Sequence, residues 1–226
     1  MIFNRHSQFE GMHAPFSPSQ SAWLRYSEEE VIDKAFVQPF RVTIGTEIHD
    51  FAADQIILHN KIGSIKAMVN AISDHIYCKY KYMPNGDTEF AKTIISKLMY
   101  LPSEVYDSVK MYVNDAISYR MSPEQVLYFS DYFYGTTDAI SFSDNYLRIH
   151  DLKTGSRPAH MEQLLVYAAL FCLEYKINPE DIDIECRIYQ LGEIENYIPT
   201  NEDINDICNK IIEFNDIIKE ESGNEL

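Results

Sequence analysis

The segment Gly135-Thr136-Thr137-Asp138-Ala139-Ile140-Ser141-Phe142-Ser143-Asp144-Asn145-Tyr146-Leu147-Arg148-Ile149-His150-Asp151-Leu152-Lys153 holds residue types that could do chemistry. Asp144-Asn145 tolerates positive φ, and as a two-residue hairpin turn it sets Asp138 opposite Asp151. The same register pairs Ile140 with Ile149 and Phe142 with Leu147, whereas a slip of one residue would set apolar against polar. Lys153 lies two residues beyond Asp151 and therefore points to the same face. Two facing carboxylates repel unless a proton or cation lies between them, and a hard divalent ion is the natural neutraliser. The pattern predicts a Mg²⁺ or Mn²⁺ site, with Lys153 placed to hold or deprotonate an attacking water and to offset charge on a phosphate. A structural Asp–Lys ion pair on an exposed sheet end is the alternative these residues leave open.

The elements that must position them can be read from periodicity. Ile44, Ile48, Phe51, Ala52 and Ile56 have helical spacing and predict a helix over 45–59, which carries Glu47, His49 and Asp50. Residues 64–121 read as mainly helical, broken near Met83-Pro84-Asn85-Gly86-Asp87 and Leu101-Pro102-Ser103, and suggest a helical insertion or lobe. After Ser122-Pro123 the texture turns β-rich, with apolar runs at 126–129 and 132–134 and then strands over 136–142 and 146–153. A helix over 159–175, a strand over 182–189 and a final helix over 201–221 complete the order. Upstream, Trp23 to Glu30 reads as a turn entering a short helix. This order predicts an α/β layer fold in one domain, 1–226. On the helix over 159–175, Gln163 and Tyr167 stand four apart on one face, which His160 extends.

The chain has 226 residues, 46% apolar and 13% aromatic, enough for a full core. Its net charge of -16 argues against capture of duplex nucleic acid by a basic surface. Residues 178–226 hold 14 acids against 3 bases, so most of the imbalance is C-terminal. No run of about 18 apolar residues exists to span a bilayer, nor an apolar N-terminal stretch of signal-peptide type, which predicts a cytoplasmic protein without membrane contact. Cysteines 78, 172, 186 and 208 are too scattered for a zinc ribbon and read as reduced core thiols.

Four segments in order, Gly45-Thr46-Glu47-Ile48-His49, Gly135-Thr136-Thr137-Asp138, Asp151-Leu152-Lys153-Thr154-Gly155 and Gln163-Leu164-Leu165-Val166-Tyr167-Ala168, together resemble the PD-(D/E)XK nuclease superfamily, closest to its RecB-like branch with phage and prophage nucleases. The resemblance covers about 45–190. It implies a restriction-endonuclease-like core, a central mixed β-sheet flanked by helices, with the helical insertion within it. It implies metal ligation by His49, Asp138, Asp151 and the Leu152 carbonyl, catalysis by Lys153, and substrate or lysine orientation by Gln163 and Tyr167. Thr137 stands where some members have Pro, and the iron–sulfur cysteines of some RecB-like members are absent. A neutral imidazole suits Mn²⁺ better than Mg²⁺, so ligation by His49 suggests activity with both ions. Glu47 is left as a second residue near the site, and His150 reads as structural.

The implied function is a metal-dependent deoxyribonuclease, an exonuclease of phage-type DNA recombination, repair or processing in a bacterial or phage-infected cell. It would leave a 5′-phosphate and a 3′-hydroxyl. The partner is DNA, single- or double-stranded, with a protein partner recruiting it and a homo-oligomer left open. Lys61, Lys66, Lys79, Lys81, Lys92 and Lys97 with Tyr77, Tyr80 and Tyr82 could guide a strand, or form a solvated helix face. The acidic C-terminal helix packs on the fold or binds another protein. The rival class is a nuclease-fold protein that no longer cuts and serves as a nucleic-acid-binding or protein-interaction component.

Overall fold

A computed structural model describes residues 24–84 and 86–223. Helix α1 (Glu28–Ile32) starts where Ser27 and Glu30 exchange hydrogen bonds in a capping box; Trp23 lies outside the described residues. Short π and 3-10 turns lead into α2 (Arg41–Ile57), which starts four residues before the expected helix. The expected helical region is α3 (Ile65–Tyr82), α4 (Thr88–Leu98) and α5 (Ser103–Ser118). Ser64 caps α3 and Asp87 caps α4, each accepting a backbone N–H of the first turn.

Strands β1 (Ser122–Ser130), β2 (Phe133–Ser143), β3 (Tyr146–Lys153), β4 (Asp183–Gln190) and β5 (Glu193–Tyr197) form one mixed sheet in that spatial order. The apolar run at 132–134 joins β2 instead of standing apart. β5, which the sequence reading lacks, pairs antiparallel with β4 across a Leu191-Gly192 turn in which both residues have positive φ. The β2–β3 hairpin has the expected register, Ile140 opposite Ile149 and Phe142 opposite Leu147, closed by Asp144 (φ 52) and Asn145 (φ 57). β3 and β4 run parallel, joined through α6 (Glu162–Tyr175).

Both faces of the sheet are covered. On one, α2 to α5 build a core with Ala139, Leu152 and Tyr189; α5 lies on β3 and β4, while α3 and α4 pack beyond it against α2 and each other. On the other, α6 covers Leu127, Ile140, Leu147, Ile149 and Ile188, and α7 (Asn201–Gly223) packs on α6 through Ile204, Cys208 and Ile211. α7 opens with a Thr200–Asp203 capping box. Cys172, Cys186 and Cys208 are core thiols as expected, but Cys78 is exposed on α3 because it falls on the side of that helix away from α2. Among the described residues no helix is long and apolar enough to cross a membrane.

Candidate active site

The site forms where β2 and β3 part. The two strands pair from Ser143 and Tyr146 as far as Ala139 and His150; beyond that β2 stays with β1, while β3 stays with β4 to Lys153. Asp138 and Asp151 are the first residues past that last pair, so they flank the fork, and the charge of Asp138 acts on Asp151. The Leu152 N–H donates to Asp138 Oδ2 at 2.8 Å, a side-chain bond standing where the ladder stops. A strand residue turns its N–H and C=O to the same side, so the Leu152 carbonyl also faces the fork. His49 reaches in from α2, its Nδ1 3.5 Å from Asp138 Oδ2.

From Asp151 a chain of hydrogen bonds runs to α6. Lys153 Nζ donates to Asp151 Oδ1 at 3.0 Å and to Gln163 Oε1 at 3.1 Å, and Gln163 Nε2 donates to the Tyr167 hydroxyl at 3.3 Å. Because that hydroxyl oxygen accepts from Gln163, its own hydrogen is available to a further acceptor. Two glycines keep these contacts open. A Cβ on Gly135 would come within 2.9 Å of the Tyr167 ring, and one on Gly45 within 3.1 Å of Thr154 Oγ1. The loop between Lys153 and α6 is pinned by Gln190, whose amide donates to the Gly155 and Arg157 carbonyls and accepts from the Ala159 N–H. Nothing in the sequence reading singled out Gln190.

His160 is placed differently from expectation. α6 begins at Glu162, so His160 precedes the helix; its carbonyl accepts the Gln163 N–H and its side chain is exposed. Glu47 turns away from the fork to α3, where it is 2% exposed, accepts from Lys79 at 2.9 Å and from the Tyr80 hydroxyl at 3.0 Å. Lys79 also donates to Asp50 and Lys92 pairs with Glu89, so these two strand-guide candidates carry local acids. Tyr80 belongs to the helical core, whereas Tyr82 is exposed.

Glu124 on β1 is the site residue that sequence reasoning missed. The β1–β2 register sets it opposite Asp138, between the Pro123–Ala139 and Gln125–Thr137 pairs. It has φ 51, a left-handed conformation that a non-glycine residue adopts at a cost in strain. Ligand atoms of His49, Glu124 and Asp138 lie within 4.8 Å of one another.

The electrostatics are those of a crowded acidic site. Asp151 is 3% exposed; burial first, then the charge of Asp138, raises its pKa, against the pull of Lys153 and His49. Its Oδ2 lies 2.9 Å from Lys153 Nζ without hydrogen-bond geometry and has no other partner among the described residues. Glu124 is raised by burial and by Asp138. Burial alone would lower His49, but the hydrogen bond and charge of Asp138, with Asp151 and Glu124, leave it raised. All three shifts describe a buried site in which carboxylates lie close to one another and to His49. A histidine, carboxylates and a backbone carbonyl on one opening are a donor set for a divalent cation such as Mn²⁺ or Mg²⁺.

A cavity of about 430 Å³ opens past the end of β3 at Thr154 and Gly155; it is lined largely by apolar residues of α2 and α5, such as Ile44 and Val105, and by Arg41, which is tied to Asp33 at 2.6 Å, and none of the fork's side chains lines it. No protein-family model, curated protein or solved structure matches the chain.

Proposed function

We propose that the protein is a divalent-metal-dependent deoxyribonuclease of PD-(D/E)XK type, RecB-like, built on a restriction-endonuclease-like core and acting on DNA ends as an exonuclease. The observation that carries the reading is convergence. Four segments spread over more than a hundred residues meet at one fork, with His49 and Asp138 in contact and Asp151, Lys153, Gln163 and Tyr167 linked in series. An exposed Asp–Lys pair would not need the Gln163–Tyr167 extension or the clearance at Gly135.

In this reading His49, Asp138, Asp151 and the Leu152 carbonyl hold the ion. A bound divalent cation supplies Lewis acidity toward the scissile phosphate and lowers the pKa of water at the site. Lys153, fixed between Asp151 and Gln163, orients the attacking water and faces the charge that develops on the phosphate. Tyr167 donates its free hydroxyl hydrogen to a phosphate oxygen. The acidic fork does not attract DNA by itself, so binding depends on the cation and on contacts outside the fork.

The test is incubation of purified protein with end-labelled linear and circular DNA, single- and double-stranded, in Mg²⁺, Mn²⁺ or EDTA. Degradation of linear DNA with either metal and none in EDTA is expected. Cleavage in EDTA, or none under any metal, contradicts the reading, and cutting of circular DNA would make the enzyme an endonuclease.

A further inference from the structure

An acidic fork needs contacts outside itself to hold DNA, and the β1–β2 hairpin extends from it as an arm. The register sets three cross-strand pairs in a row along this arm. Glu124 and Asp138 stand at the fork, where His49 reaches them from α2; Val126 and Thr136 follow, then Tyr128 and Tyr134. Side chains alternate along a strand, so the three pairs share one face and step away from the fork by about 7 Å per pair. The opposite face is turned to α6, where Leu127 is buried. The row itself is uncovered: Val126 and Tyr128 are each 48% exposed, Tyr134 is 64% exposed, and Thr136 is exposed as well.

The two rings form a fixed surface. They lie within 30° of parallel with centroids 6.4 Å apart, and the Tyr128 hydroxyl donates to Asp131 Oδ1 at 2.8 Å. Tyr132, in the turn, exposes a third ring. The arm is also registered to the proposed chemistry, because Gly135 lies against the ring of Tyr167, the far member of the chain from Lys153.

The composition of the arm selects its occupant. Between Ser122 and Ser143 there is no lysine, arginine or histidine, so the arm offers no cation to duplex phosphates. The chain's net charge of -16 supplies no general attraction for them either. Exposed aromatic rings are what unpaired bases stack on, whereas a duplex keeps its base faces covered. We infer that the β1–β2 arm is a base-stacking platform that makes a single DNA strand the substrate of the fork, with Tyr134 as its most exposed stacking ring. This role rests on the proposed nuclease reading and adds the strand class to it.

Fluorescence anisotropy of a labelled thymidine oligonucleotide and of a blunt duplex of equal length, with the full chain and Ca²⁺ in place of the catalytic ion, tests the platform. The wild-type chain should bind the single strand at least about tenfold more tightly than the duplex. Tyr134→Ala should weaken single-strand binding by about tenfold and leave duplex binding unchanged, while Tyr134→Phe, which keeps the ring, should bind as the wild type does. Raising salt from about 50 to about 200 mM should weaken single-strand binding by less than about tenfold, against the much steeper loss of a surface that reads phosphates. Circular dichroism establishes that each variant is folded. A duplex bound as tightly as the single strand, or single-strand binding unchanged in Tyr134→Ala, would overturn the inference, and cleavage of DNA in Mg²⁺ by the same preparation would leave the nuclease reading standing. Single-strand binding that falls in Tyr134→Ala, in a chain that cuts no DNA, would uphold the platform and overturn the nuclease reading. Binding of neither DNA would overturn the inference, and self-association lost in Tyr134→Ala would then mark the row as a protein contact.

Discussion

His150 and Asp151 are neighbours on β3, point to opposite faces of the sheet, and meet burial in opposite ways. His150 is fully buried against α5, where its Nδ1 lies 3.2 Å from the Tyr189 hydroxyl, which donates to Asp115 at 2.8 Å. Burial, then the charges of Arg187 and Arg148, pulls its pKa down to about 3, so it stays neutral. Arg187 is held by Glu185, Asp115 and Tyr119, and Arg148 lies over the Tyr119 and Tyr146 rings. Asp151 on the other face has both carboxylate oxygens near the Lys153 ammonium and lies close to the charge of Asp138. One face keeps its histidine neutral and pairs both arginines with Glu185. The other brings like charges together and holds Glu124 in a left-handed conformation.

The comparison breaks most sharply in activity. If the fork works as proposed, Lys153→Ala should reduce metal-dependent cleavage by on the order of 10³-fold or more, since the proposal has this group orient water and face the phosphate. Its circular dichroism spectrum should remain that of the wild-type fold, because the lysine is partly exposed at the end of β3, although the melt should fall because the buried Asp151 loses its cationic partner. Loss of fold in this variant would move Lys153 to the structural side of the comparison.

Tyr189→Phe should do the reverse. It leaves the His150 Nδ1 and the Asp115 carboxylate without their shared hydroxyl, at a cost of about 1–3 kcal/mol, while cleavage per folded molecule stays as in the wild type. For a chain of this size that is a fall in Tm of several degrees, readable by calorimetry.

The pH dependence of stability separates the faces with opposite signs. A histidine whose folded pKa is depressed contributes stability that is present above its unfolded value of 6.5 and lost as pH falls toward about 3. Within that window each pH unit costs up to about 1.4 kcal/mol. Asp151 is raised, so its contribution is present below the unfolded carboxylate value and is lost as pH rises through its folded value. Denaturant melts of His150→Gln should show a flatter acid limb than the wild type; an unchanged limb would remove His150 from the account.

Much of this was legible in the sequence because short-range patterns dictate it. Asp144-Asn145 specifies the hairpin turn, and that turn fixes the register that brings Asp138 to Asp151. The breaks at 83–87 and 101–103 carry proline and capping residues, so the boundaries of α3, α4 and α5 follow from local chemistry. What escaped depends on tertiary pairing. Glu124 meets Asp138 only through the β1–β2 register, which passes a bulge near Tyr128 and Ser130. β5 is a short edge strand with all five residues exposed, so it has no apolar alternation; the glycine of Leu191-Gly192 was the available signal. Glu47 is two residues from His49, or about 200° around α2, and therefore faces α3 instead of the fork.

The claim that the fork is a cation site is tested most directly by thermal melting at pH 8 with and without Mn²⁺, comparing the wild-type chain with Asp151→Asn. Metal-free Asp151→Asn should melt above the metal-free wild type, because it removes a buried charge near Asp138. Saturating Mn²⁺ should raise the wild-type Tm by several degrees, corresponding to about 2.7 kcal/mol at a hundredfold excess over Kd, and should raise the variant much less. An equal shift in both chains, or none in the wild type, would contradict the account.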